Sequence, residues 1–180
     1  MESDTASLAV SVSDEDHFRG RLDAPIVLVE YADFECPYCA DAYPIVKALE
    51  RTYGDKLCVV FREFPLPQHP HALQAAETAE FAADAGAFWP MHDMLFEHQR
   101  ALDPTHLTGY AEQLGLDAAA LRSALRARTY VPRIEDEIEG GEESGVSGTP
   151  TFFVNGVLFT GEPGVAEFSE VFDGVLRAVR

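Results

Sequence analysis

Cys36-Pro37-Tyr38-Cys39 constrains this chain more than any other stretch. It follows an apolar run, Ile26-Val27-Leu28-Val29, and precedes a helical pattern. Two cysteines two residues apart at a strand-to-helix junction can close and reopen a small disulfide. Pro37 suits the first helical position, where its missing N–H costs nothing, and Cys36 then falls at the N-cap or next to it. A helix N-terminus offers unpaired N–H groups and the positive end of the macrodipole, both of which favour a thiolate. The thiolate is the nucleophile of disulfide exchange. Cys36 therefore reads as the attacking residue and Cys39, one turn further in, as the resolving one. Glu35 works the other way, because a neighbouring negative charge raises the pKa of Cys36.

Around this junction the pattern predicts a β-α-β unit. Residues 26–31 read as a buried strand, and the helix runs to about Tyr53, with Ile45, Val46 and Leu49 inside and Gly54 ending it. A second strand covers residues 57–63, and such units favour parallel strand pairs. Residues 64–69 form a loop. Residues 70–144 turn alanine-rich, with leucines and aromatics at helical spacing. Breaks near Gly86, Pro104, Gly115 and Pro132 predict four or five helices, with Asp103 and Asp117 as starts. Residues 135–143, with six acids and two glycines, read as a solvated helix end. Residues 151–154 are strand-like, Asn155-Gly156 is a hairpin signal, and residues 157–159 return antiparallel. A closing helix over residues 165–179 places Phe168, Val171, Phe172, Val175 and Leu176 on one face. The polar opening stretch, residues 1–25, holds one expected short strand near residues 8–12.

Composition narrows the partners. With 31 acidic and 13 basic residues, the formal net charge of −18 repels nucleic acid and anionic membrane surfaces. Apolar runs reach about five residues, far short of the roughly 20 that span a bilayer, so no membrane insertion is expected. The chain as given opens on Met1-Glu2-Ser3-Asp4-Thr5, without a basic start or an apolar leader. That places it in the cytoplasm, or in the periplasm or another extracytoplasmic space if a leader has been removed. Three cysteines are too few for a disulfide-stapled scaffold. Cys58 lies in a strand-like run and reads as a small buried hydrophobe.

The same two cysteines could form half a zinc site, but a structural zinc wants four ligands. A second Cys-x-x-Cys is missing, and the six histidines offer no spaced pair near a cysteine. Neither metal nor organic cofactor is expected. His69 and His71 read as loop and helix-start residues. Trp89, Phe88, Phe96, Met91 and Met94 have the spacing of helix core.

The second signal is Gly145-Val146-Ser147-Gly148-Thr149-Pro150-Thr151-Phe152-Phe153-Val154, where a proline enters a strand. Together with residues 23–39 and the strand and turn at residues 59–65, it makes the chain resemble the DsbA-like branch of the thioredoxin superfamily. The resemblance covers roughly residues 14–180. It implies an α/β thioredoxin fold, a central mixed sheet flanked by helices, with an inserted all-helical subdomain. Residues 1–66 and 145–180 would form the thioredoxin-like domain and residues 67–144 the insert. It implies that Pro150 is the family's cis-proline facing the cysteines, and that the Thr149 backbone pairs with an extended substrate segment. Pro37 and Tyr38 join them as residues that meet substrate. Glu30, six residues before Cys36, matches a buried acid that takes the proton of Cys39 during resolution.

The departure lies between the cysteines. Pro-Tyr is not the Pro-His of the strongly oxidising periplasmic members; it is the pair familiar from glutaredoxins. Tyr38 supplies no positive charge, so a less acidic Cys36 and a less oxidising disulfide are expected. The leading reading is a monomeric thiol-disulfide oxidoreductase acting on protein thiols or disulfides, recycled by glutathione or a redox partner protein. A glutathione-dependent reductase and a redox-inactive binding module of the same fold are the alternatives.

Overall fold

A computed structural model describes residues 6–179. The opening residues, on which the reading of a leader rests, lie outside that range. Five strands, β1 (His17–Arg19), β2 (Ile26–Ala32), β3 (Leu57–Glu63), β4 (Thr151–Val154) and β5 (Val157–Leu158), form one mixed sheet in the order β1-β3-β2-β4-β5. Helix α1 (Pro37–Tyr53) connects β2 to β3, which are neighbours in the sheet as the β-α-β pattern requires. All of β3 and all of β2 but Val27 are buried, which is why both read as apolar runs rather than alternations. Helices α2 (Ala72–Asp84), α3 (Phe88–Glu97), α4 (Pro104–Gln113), α5 (Ala118–Ala127) and α6 (Val131–Glu143) follow, and α7 (Val165–Ala178) closes the chain after β5.

The chain divides into two compact units. The first runs up to Ala32, takes in Asp41–Arg62 and resumes from Gly140. Its core is aromatic: Tyr31 meets Phe153 edge-on, Phe168 of α7 packs on Phe152, and Phe172 packs on Tyr53. Asn155 and Gly156 both have positive φ (48° and 81°), as a two-residue hairpin turn demands, and they join β4 to β5 in antiparallel register. The second unit comprises Asp33–Ala40 and Glu63–Glu139. Alanines 72, 75, 76, 79 and 82 make one buried face of α2, and a face without long side chains lets α3, α4 and α5 pack closely against it. Phe88, Met91 and Phe96 are buried on α3 as the spacing predicts, whereas Trp89 and Met94 are half-buried.

Several sequence expectations need correction. Residues 8–12 form no strand. The carbonyls of Val10 and Ser11 accept instead from the buried Arg62 guanidinium (2.9 and 3.3 Å), which also holds Asp16 at 2.8 Å. The first strand is β1, pairing antiparallel with β3. Residues 135–143 are not simply a solvated end. Helix α6 runs on through buried Gly140, where a Cβ would lie 2.9 Å from Val10 Cγ2. On α1 Ala42, Val46 and Leu49 are buried but Ile45 is only half-buried, and on α7 Val171 is exposed.

Candidate active site

The loop from β2 into α1 is organised by one carboxylate. Asp33 is 1% exposed and accepts the N–H of Glu35 (2.7 Å), the N–H of Leu66 (2.8 Å) and Nδ1 of His69 (2.7 Å). Its own N–H points at Sγ of Cys39, 3.5 Å away. The turn closes when the Cys36 N–H donates to the Asp33 carbonyl at 3.1 Å, and this delivers Cys36 to the start of α1. The N–H groups of Cys39 and Ala40 then donate to the Cys36 carbonyl, each at 3.1 Å. Pro37 is the first residue of α1, as its fixed φ favours. Cys36 is 3% exposed and Cys39 fully buried, while Tyr38 is 73% exposed.

The second unit holds this loop from several sides. Gln99 Nε2 donates to the carbonyls of Phe34 (3.0 Å) and Cys36 (2.7 Å). Phe34 is buried against Phe96 and His92, with ring centroids 4.9 and 5.8 Å away. Glu35 accepts the backbone N–H of His71 at 2.6 Å and faces its Nδ1 at 3.0 Å. His69 and His71 are therefore more than loop and helix-start residues, although His71 does precede α2 as its N-cap. Burial lowers the basicity of His69, but its bond to Asp33 and the charges of Asp33, Cys36 and Glu35 outweigh this and raise its pKa.

Glu30, Thr149 and Pro150 belong to the first unit. Glu30 is 3% exposed on β2, and its Oε1 has no hydrogen-bond partner among the described residues. Burial, with the charge of Glu50 added, pushes its pKa to about 8. Arg19 offsets this only in part, because its guanidinium is engaged with Glu50 at 2.7 and 2.8 Å. The β2–β4 register sets Glu30 opposite Phe152 and Tyr31 opposite Thr151, next after Pro150. The Thr149–Pro150 peptide bond is cis. Cys58 is fully buried, and burial with the charge of Asp16 pushes its thiol up to about 11, which suits a packing role.

Sequence reasoning singled out Cys36, Pro37, Tyr38 and Cys39, which adjoin one another here, but missed Asp33, Gln99 and the engagement of the two histidines. One signal was available. Asp33-x-Glu35 and His69-x-His71 share the same two-residue spacing, and the structure pairs them in register.

A sequence model of the thioredoxin family matches residues 12–174, so the chain belongs to that family. Its fold is the one found in DsbA-type oxidoreductases. Oxidised BdbD from Bacillus subtilis superposes with a TM-score of 0.85 at 23% identity, over 97% of this chain and 99% of that one. Wolbachia pipientis alpha-DsbA1 gives 0.81 at 20% identity, over 94% and 96%. A thioredoxin-like oxidoreductase from Silicibacter pomeroyi gives 0.80 at 24%, over 92% and 94%. In sequence the chain is 45% identical over 168 residues to the Na(+)/H(+) antiporter NhaA 1 of Salinispora arenicola, covering 93% of this chain and 26% of that protein. It is 51% identical over 144 residues to NhaA 3 of Salinispora tropica, covering 79% of this chain and 22% of that protein. The chain thus spans about a quarter of the length of the curated relatives it matches. Among the described residues no helix is long and apolar enough to cross a membrane.

Proposed function

We propose that this chain is a thiol-disulfide oxidoreductase that exchanges disulfides with protein thiols through Cys36 and Cys39. The observation that carries the reading is Cys36 at the start of α1 with Cys39 buried one turn further in. In the reducing direction, Cys36 as thiolate attacks one sulfur of a substrate disulfide. The S–S bond breaks and one substrate thiol leaves, taking a proton. Cys39 then loses its proton and attacks Cys36 Sγ, which releases the second substrate thiol and closes the Cys36–Cys39 disulfide. Two electrons pass to the substrate, and the oxidising direction is the reverse.

Glu30 is the proposed acceptor of the Cys39 proton. A carboxyl with a pKa near 8 can hold either state at neutral pH. Thr149, Pro150, Pro37 and Tyr38 are the proposed substrate contacts, and of these Pro37 and Tyr38 are exposed.

Insulin reduction tests the reading. Cys36→Ser should abolish turnover. Cys39→Ser should retain the first attack and accumulate a mixed disulfide, visible by mass as an adduct removed by dithiothreitol. Full turnover by Cys36→Ser sinks it.

A second reading concerns setting. The relatives named as sodium–proton antiporters contain a stretch matching most of this chain, so we propose that its redox chemistry works beside such an antiporter. Cytoplasmic action remains the proposal for location. The reduction potential of the pair against glutathione tests it: a value far above the cytosolic poise would point to an oxidising compartment.

A further inference from the structure

The Pro-Tyr pair leaves the dipeptide between the cysteines without a cation, yet the residues around it build one nearby. Asp33 grips the 64–69 loop at two points, the Leu66 N–H and the His69 ring, and the His69 N–H in turn donates to the Leu66 carbonyl at 3.1 Å. The same carboxylate fixes the cysteine loop through the Glu35 N–H. An ionised carboxylate only accepts hydrogen bonds, so His69 Nδ1 carries a proton toward it. Protonation at Nε2 then makes the ring a cation, and at 20% side-chain exposure the ring can exchange that proton with water. A fully buried carboxylate without a counter-charge is costly, which gives Asp33 a reason to hold the ring charged.

We propose that His69, oriented and kept cationic by Asp33, is the positive partner of the Cys36 thiolate and does the work that the dipeptide cannot. The proposal rests on Cys36 being the attacking thiol. Asp33 ties the two residues together: its carboxylate holds the His69 ring at 2.7 Å and its carbonyl accepts the Cys36 N–H at 3.1 Å, while Asp33, Cys36 and Glu35, when ionised, favour the protonated ring. Glu35 is also engaged by His71. Asp33 in turn faces Glu63 at the end of β3, a buried carboxyl whose own pKa is raised well above normal by burial and by Glu80 and Glu137. Burial and these like charges bias Glu63 toward its neutral form, with Arg133 opposing them. Coupling between two titrating groups is reciprocal: a thiolate that favours the imidazolium is favoured by it to the same extent. Asp33 acts here as a positioning residue.

The test follows the Cys36 thiolate by absorbance near 240 nm and by iodoacetamide alkylation across pH, in full-length protein carrying Cys39→Ala. Buried Cys58 does not contribute at neutral pH. His69→Ala should move the thiolate midpoint upward and slow alkylation below it by on the order of tenfold, the equivalent of one pKa unit. His69→Lys should restore much of the low midpoint, and His69→Gln should not. A midpoint unchanged in a folded His69→Ala protein overturns the proposal, as does a Gln variant that matches Lys. If the alanine variant does not fold, the Lys–Gln comparison decides. Insulin reduction by the unmodified chain is measured in parallel. If it is absent while the midpoint still follows the charge at position 69, the proposed activity has failed and this inference stands. If turnover is present and the midpoint ignores position 69, the reverse holds.

Discussion

A carboxyl group buried on a strand keeps its proton unless something stabilises the charge. Glu30 has one oxygen without a hydrogen-bond partner among the described residues, a like charge in Glu50, and an arginine already committed elsewhere. Its pKa of about 8 in the folded chain stands above the ordinary 4.5. The folded state therefore binds more protons than the unfolded one between these values. The contribution to stability is full below about pH 4.5 and is lost as pH rises through 8. Glu63 and His69 are shifted in the same direction and tilt stability the same way. The wild type should unfold at lower urea concentrations as pH rises from mildly acidic to alkaline. Glu30→Gln, which keeps the shape and cannot ionise, should remove part of that slope, a difference on the order of a few kcal/mol at alkaline pH. Identical slopes for the two proteins would show that Glu30 ionises as freely in the folded chain as in the unfolded one.

At the scale of elements, the short strand β1 ends where the backbone must turn against β3. Gly20 has φ of +99°, and a Cβ there would lie 2.5 Å from the Leu57 carbonyl oxygen. That neighbour is backbone in a fully buried strand and cannot swing aside. Gly20→Ala should cost roughly 1–3 kcal/mol for the left-handed conformation alone, and more from the clash. Denaturant unfolding should show a lower midpoint with an unchanged slope. A midpoint equal to wild type would mean that the turn relaxes freely. The same strand shows why some of the fold was illegible. β2, α1, β3 and the 155–156 hairpin carry their own local signals: apolar runs, a proline at a helix start, and Asn-Gly. His17-Phe18-Arg19 has no alternation to read, because it is a strand only through its pairing with β3, some forty residues away. The site divided likewise. Cys36 and Cys39 announce themselves by spacing. Asp33 and His69 lie 36 residues apart and become partners only once the chain has folded.

For the whole molecule the dominant quantity is charge. Even if each of the 13 basic residues neutralised one acid, 18 of the 31 acids would remain uncompensated. Salt acts in two opposing ways on such a chain. It weakens exposed ion pairs such as Arg21–Asp23, whose side chains are 72% and 69% exposed, but pairs this open to water contribute little to stability. It scarcely touches the Arg62–Asp16 pair, whose side chains are 4% and 9% exposed. It also screens repulsion among the unmatched acids, which act on one another through space wherever they lie closer than the Debye length. That length shrinks from about 30 Å at 0.01 M to about 10 Å at 0.1 M, so much of the long-range repulsion is removed over this interval. Folding draws like charges together, and repulsion is therefore greater in the folded chain than in the unfolded one. The second effect outnumbers the first, and the melting temperature should rise with sodium chloride between these concentrations, most steeply at the dilute end. Potassium chloride should give the same curve, because screening depends on ionic strength and not on the identity of the cation. A flat curve would mean that the acids are spaced widely enough for water alone to shield them, and a falling one that the weakened ion pairs outweigh the screened repulsion. A rise with one cation only would mean site binding in place of screening.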